Sequence, residues 1–396
     1  MIMNGCAVAV TGMGCLCAAG TNPAETWESL CLGRQNRVLA QELHPDALPY
    51  PFFAVPAEAF AEGRRSNTAA DTLDLARYAS SQAITQASLD SVMRADIAIV
   101  MGTTAGSALH FLEGYRASRA NLPHNGKDIS AYFSSNLALS LAQTYGAHSV
   151  TLTVANACTS GADAIGLAAG LIAQGQCRVA LCGGADALNL VPHTGFARLM
   201  ISSSQACRPF DAKRQGLNLG EGAGMLVLEN AAHAAERGAK PLGFIAGYGS
   251  AADAYHFTAP HPEARGLEHA VKQALCTAHI ESRDIAFINA HGTATQENDR
   301  VEGQFFARHL PHIPVWGSKS ITGHTLGAAG ALEAIFCLMA LSRREVPPTW
   351  GFADVDTNIG LTPTQKLTSV SGDYALSTSL AFGGGNAALV LARGKP

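Results

Sequence analysis

The sequence predicts an α/β fold assembled from two related halves. Short runs of apolar and β-branched residues alternate along the chain with longer runs of helical period, the order expected of strands covered by helices. An internal repeat points the same way. Val154-Ala-Asn-Ala-Cys158-Thr-Ser-Gly161-Ala leads into a small-residue helix ending near Ile172, and Ser318-Lys319-Ser-Ile-Thr-Gly-His324-Thr-Leu-Gly327-Ala leads into another ending near Ile335. Each reads as an apolar run, a tight turn and a helix, which places Cys158 and His324 at equivalent positions of two modules facing across a pseudo-twofold axis. The repeat extends further: Ala95-Asp-Ile-Ala-Ile-Val-Met-Gly102 parallels Arg283-Asp-Ile-Ala-Phe-Ile-Asn-Ala290, and the run from Val179 to Leu188 parallels that from Ser379 to Leu389. A period of about half the chain marks a duplicated domain, not a solenoid.

In chain order, strands are expected at 7–11, 97–102, 148–154 and 179–182, with helices at 24–32, 109–117 and 161–173. The second half repeats the alternation, with strands at 242–250, 285–290 and 374–379 and helices at 266–278 and 330–341. The polar stretch 230–240 is the natural seam, so the halves run over 1–240 and 241–396. Segments 39–66 and 192–216 read as irregular insertions rich in Pro, Gly and polar residues. The glycines cluster as Gly183-Gly184, Gly220 to Gly224 and Gly383 to Gly385, expected at strand ends. Gly220 to Gly224 precedes an apolar run and opens no helix, which removes a dinucleotide loop.

Only 15% of the residues are charged, against roughly 25% in an average soluble domain, so much surface is hidden in a thick core or a subunit interface. A net charge of −4 carries no basic footprint for nucleic acid. The ten cysteines are scattered through apolar strands and helices, which reads as free thiols in a reducing cytoplasm. Cys15 and Cys17 lack the second half of a zinc site. The apolar start of the chain is broken by Gly12 and Gly14, and neither a signal peptide nor a membrane span is expected.

Cys158 follows an apolar strand and opens a helix, where unpaired N–H groups and the helix dipole favour the thiolate. His291 stands at a strand end in Asn289-Ala-His291-Gly-Thr293-Ala-Thr295, and His324 in Thr322-Gly-His324-Thr. A thiolate with two imidazoles suits acyl transfer to sulfur followed by stabilisation of an enolate, the histidines donating Nε2–H bonds to a thioester oxygen. Lys319, one turn before His324, is placed either to set the local potential or to hold hydrogen bonds linked to the histidines.

Taken together, Val10-Thr-Gly-Met-Gly14, Ala157-Cys-Thr-Ser-Gly161, Arg208-Pro-Phe-Asp211, Asp253-Ala-Tyr-His256, His291-Gly-Thr-Ala-Thr295, Lys319-Ser-Ile-Thr-Gly-His324 and Phe382-Gly-Gly-Gly385 resemble the elongating Cys-His-His β-ketoacyl-ACP synthases of the thiolase superfamily, over nearly the whole chain. The resemblance implies a thiolase-like five-layered αβαβα fold and a dimer, with the site where the halves meet. It casts Cys158 as the acyl-accepting nucleophile, His291 and His324 as the pair that supports decarboxylation of a malonyl thioester, and Lys319 as the lysine beside them. Glu333 and Asp299 become site-organising carboxylates. Thr293, Thr295 and Phe196 become substrate-binding residues, and Phe382 the gate whose backbone N–H joins that of Cys158 in an oxyanion hole. Substrates would arrive on the phosphopantetheine of acyl carrier protein, with no further cofactor. Some relatives hold a monovalent cation near the positions of Asn289 and Glu333, but Thr378 stands where asparagine is common, so no metal is assigned.

Leu380 and Gly385 replace an aromatic residue and a threonine usual in housekeeping enzymes, and Gln296-Glu-Asn298 replaces a proline-containing stretch. These departures bring in a second reading, a specialised polyketide or polyene ketosynthase paired with a chain-length-factor-like subunit. A non-catalytic scaffold subunit typically lacks the nucleophile, which is present here. A thiolase would carry a second cysteine in the last glycine loop, and residues 382–386 have none.

Overall fold

The computed structural model describes residues 6–59, 71–106, 112–123 and 136–395. Ten strands form one sheet: β1 (Val8–Cys17), β2 (Ala98–Gly102), β3 (Thr151–Val154), β4 (Val179–Asp186), β5 (Gly222–Asn230), β6 (Gly243–Ala252), β7 (Ile285–Asn289), β8 (Val315–Trp316), β9 (Tyr374–Leu380) and β10 (Gly385–Ala392). Their spatial order is β8-β7-β9-β10-β6-β1-β5-β4-β2-β3. Read from the centre outward, the order in one half mirrors that in the other. The two sets of five meet only through β1 and β6, where Val8, Ala9 and Val10 pair antiparallel with Ile245, Phe244 and Gly243.

The principal helices are α1 (Pro23–Leu32), α2 (Thr72–Ala87), α3 (Leu137–Tyr145), α4 (Ser160–Ala173), α5 (Leu190–Arg198), α6 (Arg265–Ala278), α7 (Gln296–His309), α8 (Lys319–Thr322) and α9 (Ala329–Arg343). Helices α4 and α9 pack on each other and each touches strands of both halves. Alternate residues of one strand serve opposite layers: Leu226 and Leu228 of β5 face the core of α4 and α9, whereas Met225 and Val227 face α2 and α3. On β10, Leu389 and Leu391 join the inner core and Ala388 and Val390 face α6 and α7. The layers are therefore helix, strand, helix, strand, helix, and strands buried on both faces read as continuous apolar runs.

Several expected boundaries shift. β4 extends through Gly183 and Gly184, and Gly224 lies inside β5, so these three glycines are strand interiors instead of strand ends, while Gly222 opens β5 as expected. Close approach is the reason. A Cβ at Gly184 would lie 2.4 Å from the Gly327 carbonyl oxygen, and one at Gly224 would lie 2.7 Å from the Leu332 nitrogen. The register of the repeat also moves, since β4 and β9 hold matching places in the sheet and Tyr374 is the counterpart of Val179. Part of the insertion at 192–216 is α5, where Pro192 falls in the first turn and costs no internal hydrogen bond. Residues 60–66 of the other insertion, and 109–111 of the helix expected at 109–117, lie outside the described residues. The segment Leu326–Arg343 is long and apolar enough to cross a membrane, yet 89% of it is buried within the fold.

Candidate active site

Cys158 lies in a short 3-10 turn, Ala157–Thr159, between β3 and α4. Ala157 adopts a left-handed φ of 47°, and Leu326, which opens the equivalent turn Leu326–Ala328 before α9, adopts φ 53°. A side chain in that region costs roughly 1–2 kcal/mol, so both elbows are held by their surroundings. Matching the elbows makes Gly327 the positional counterpart of Cys158. His324 instead sits just ahead of its elbow, because α8 is inserted after β8. Its backbone is clamped by the 218–220 segment, with the His324 N–H donating to Asn218 O at 2.8 Å and Gly220 N–H to His324 O at 3.0 Å.

The three chemistry-bearing side chains converge. His324 Nε2 stands 3.1 Å from Cys158 Sγ. The His291 ring, from the end of β7, meets the His324 ring edge-on at 5.0 Å between centroids. All three residues are at most 5% exposed. Burial pushes the Cys158 thiol up to about 12, against the pull of the Lys319 charge and of the Phe382 backbone N–H. The resting group is thus a thiol, where the helix N-terminus alone would favour thiolate. Burial, seconded by the charge of Lys319, holds both imidazoles well below the usual histidine range. Two neutral rings face a neutral thiol at pH 7.

Lys319 Nζ lies 2.5 Å from Glu333 Oε1, and Ser318 Oγ donates to the same oxygen at 3.3 Å. The pair is sealed, at 1% and 2% exposure, so its field acts through little solvent. A cavity of about 270 Å³ reaches Cys158, His291 and His324 and is walled by Phe196, Leu380, Phe382, Thr293 and Thr295. Phe196 and Phe382 meet edge-on at 5.2 Å. The Thr293 and Thr295 hydroxyls are 2.9 Å apart.

Family models match most of the chain: Beta-ketoacyl synthase, N-terminal domain, over residues 6–234, and Beta-ketoacyl synthase, C-terminal domain, over 242–353. The chain belongs to the β-ketoacyl synthase family. It is 31% identical over 407 residues to the 3-oxoacyl-[acyl-carrier-protein] synthase 2 of Staphylococcus aureus strain COL, covering 97% of each chain. Among solved structures it is similar to the ishigamide ketosynthase/chain length factor, with a TM-score of 0.85, 29% identity and coverage of 98% and 99%. A second, the AntDE:AntF complex of a type II PKS acyl-carrier protein with its ketosynthase bound to the hexaketide, gives a TM-score of 0.86 at 26% identity, with coverage of 98% and 99%.

Two further buried carboxylates of this β-ketoacyl synthase, Glu302 and Asp186, are not marked by the motifs and join Asp299 around the site. Glu302, fully buried on α7, accepts the His291 N–H at 2.7 Å and the Gly292 N–H at 2.8 Å, together with the Thr378 hydroxyl at 2.8 Å. Burial pushes its carboxyl up to about 7. One helical turn earlier, Asp299 accepts the Ala294 N–H and the Phe210 N–H, and Ala294 has φ 66°. Together they pin both ends of the 291–295 loop. Asp186, at the end of β4, accepts from Thr103 Oγ1, Thr104 N, Ala105 N and Gly327 N, tying the elbow before α9 to the other half. The i, i+3 spacing of Asp299 and Glu302, two acids on one helical face just after a histidine turn, was the readable signal.

Among the described residues no group of three or more His, Cys, Asp or Glu side chains is arranged to hold a metal ion. Asn289 Oδ1, Glu333 Oε2 and Ser379 Oγ are buried with no hydrogen-bond partner among the described residues.

Proposed function

We propose that the chain condenses an acyl group held on Cys158 with malonyl-ACP, with loss of carbon dioxide, to give 3-ketoacyl-ACP in fatty-acid or polyketide elongation. The observation that carries this is the contact of His324 Nε2 with Cys158 Sγ, with His291 edge-on beside it at the end of one cavity. Attack by Sγ on a carrier thioester forms a new C–S bond, and its proton passes by way of His324 to the departing carrier thiol. The oxyanion formed on the way is held by the backbone N–H groups of Cys158 and Phe382. Malonyl-ACP then loses carbon dioxide, and Nε2–H of His291, joined by that of His324 once its ring has exchanged to the Nε2–H tautomer, stabilises the enolate oxygen. The carbanion attacks the acyl carbonyl, forming the C–C bond and expelling the Cys158 thiolate, which takes up a proton.

In this reading Lys319, held in place by Glu333, helps burial keep the histidines neutral, Asp299 and Glu302 hold the His291 loop, and Thr293 and Thr295 meet the phosphopantetheine arm. Phe196 and Phe382 line the acyl end. The chemistry needs no cofactor beyond that arm. The edge strand β3 pairs only with β2 among the described strands and leaves Leu152 40% exposed, which fits pairing with a second chain. Ten free cysteines fit a cytoplasmic enzyme. A second reading, a specialised ketosynthase beside a chain-length-factor-like subunit, draws on the likeness to the ishigamide ketosynthase/chain length factor and on Leu380 and Gly385 in the cavity wall.

Intact-protein mass spectrometry with a panel of acyl-ACPs, followed by malonyl-ACP, tests both readings. Acylation at Cys158 that disappears in Cys158→Ala and is discharged by malonyl-ACP is expected. A Cys158 that no acyl-ACP modifies would leave only the scaffold role. Saturated against polyene or aryl primers, with and without a partner subunit, separates the two catalytic readings.

A further inference from the structure

One buried ion stands at the mouth of the cavity with no part in the steps above. Arg214 is 2% exposed at its side chain and directs its guanidinium at four acceptors: Nε to Thr295 O at 3.3 Å, Nη2 to Gln296 O at 3.1 Å, and Nη1 to Asp211 O at 3.0 Å and Asp356 Oδ2 at 2.7 Å. Gln296 answers, its side-chain Nε2 donating to Arg214 O at 2.6 Å. A third bond joins the same two segments, from Gly216 N–H to Ala294 O at 3.1 Å. Gln215, Gly216, Thr295 and Gln296 all line the cavity.

We infer that Arg214 and Gln296 form a clamp across the cavity mouth, positioning residues that act through Thr295 to hold the carrier-borne arm of the substrate. The inference rests on the proposed condensation for the identity of that arm. The clamp itself rests on the geometry. Two segments remote in sequence, 214–216 and 294–296, face each other here, and every bond between them runs through backbone oxygens next to the cavity wall. A neutral amide and a guanidinium holding each other's carbonyls make a fixed spacing without placing a net charge on the substrate side. Gln296 opens the stretch 296–298 in which this chain departs from the proline-containing segment of the family resemblance, and the reciprocal bond to Arg214 O exists because that side chain has a donor.

The same departure supplies a mild variant. Gln296 is the first residue of α7, where the backbone N–H has no partner within the helix, and Thr295 before it is already extended at φ −79° and ψ 151°. Proline fits such a position without breaking the helix. Gln296→Pro therefore removes the side-chain half of the clamp and leaves the loop path unchanged. With one hydrogen bond lost, KM for malonyl-ACP is expected to rise about fivefold while kcat stays near wild type. Hydrogen exchange at the Gly216 amide, measured without substrate, should quicken by a similar factor.

Arg214→Lys, checked by its melting curve, should raise KM further in the same direction, because an ammonium cannot reach both carbonyls of the loop and Asp356 at once. Unchanged Gly216 exchange in Gln296→Pro overturns the clamp whatever the turnover does. So does a fall in kcat with KM unaltered, which would mark a purely structural role. A wild type that never condenses would sink the reading of function, while quickened exchange in the variant would still uphold the clamp.

Discussion

Replacing Glu302 by Gln separates positioning from stability. The wild-type carboxylate receives the His291 and Gly292 N–H groups on different oxygens, with Thr378 Oγ1 on the first and Asn298 Nδ2 at 3.3 Å on the second. A glutamine has one such oxygen. Its best fit keeps that oxygen for Gly292 and Asn298, turns the Thr378 hydroxyl round to accept, and leaves the His291 N–H facing an amide. One orphaned buried donor costs about 1–3 kcal/mol. Against that stands the charge. The Glu302 carboxyl is raised from 4.5 to about 7 on folding, which by linkage is about 3 kcal/mol of stability present below pH 4.5 and lost as the pH rises through 7. Glutamine carries no such loss.

The variant should therefore unfold at clearly lower urea at pH 5 and be close to wild type at pH 8. Activity should not recover with it. A His291 ring displaced by an ångström is expected to slow condensation by about a hundredfold, while acylation of Cys158, which Glu302 does not touch, stays near normal. Urea unfolding at both pH values, together with mass spectrometry of acylation and a rate for 3-ketoacyl-ACP formation, reads all three. Equal destabilisation at pH 5 and pH 8, or condensation at the wild-type rate, would refute the reasoning.

His324→Ala should slow acylation of Cys158 as well as condensation, by about 10²–10⁴-fold, because the proposed acylation passes the thiol proton to Nε2, 3.1 Å from the sulfur; pre-steady-state acylation at full rate would confine His324 to the enolate step. Alkylation of Cys158 by iodoacetamide should keep rising through pH 9, as a thiol raised to about 12 requires, and a plateau below pH 8 would mean a preformed thiolate. Glu333→Gln removes the counter-charge of a sealed ammonium and should destabilise the fold by about 3–5 kcal/mol in urea unfolding, a loss that Glu333→Asp should share only in part. Wild-type stability in Glu333→Gln would show that Lys319 does not depend on the pair.

Much of the site was legible because its residues sit where backbone geometry marks them. His291 stands in a glycine turn just past β7, Cys158 in the short turn between β3 and α4, and His324 beside Gly323 after α8, and the two-face burial of the strands wrote the apolar runs that led to these turns. Helix α7 was not legible as a helix. Its inward face carries Asn298, Asp299 and Glu302 beside Val301 and Phe305, so the apolar period is interrupted where the site needs carboxylates.

Glu302 and Asp186 were hidden for a related reason. They serve backbone N–H groups, and a chain read in one dimension does not show which N–H groups lack a partner. The duplication, the chemistry-bearing residue types and their order along the chain were written in local pattern, because turns and strand periods depend on neighbouring residues. The register between the halves, the meeting of one sulfur with two imidazoles and the protonation of that sulfur were decided by the folded molecule. Each depends on burial and on contacts between segments far apart in the chain, which have no local trace.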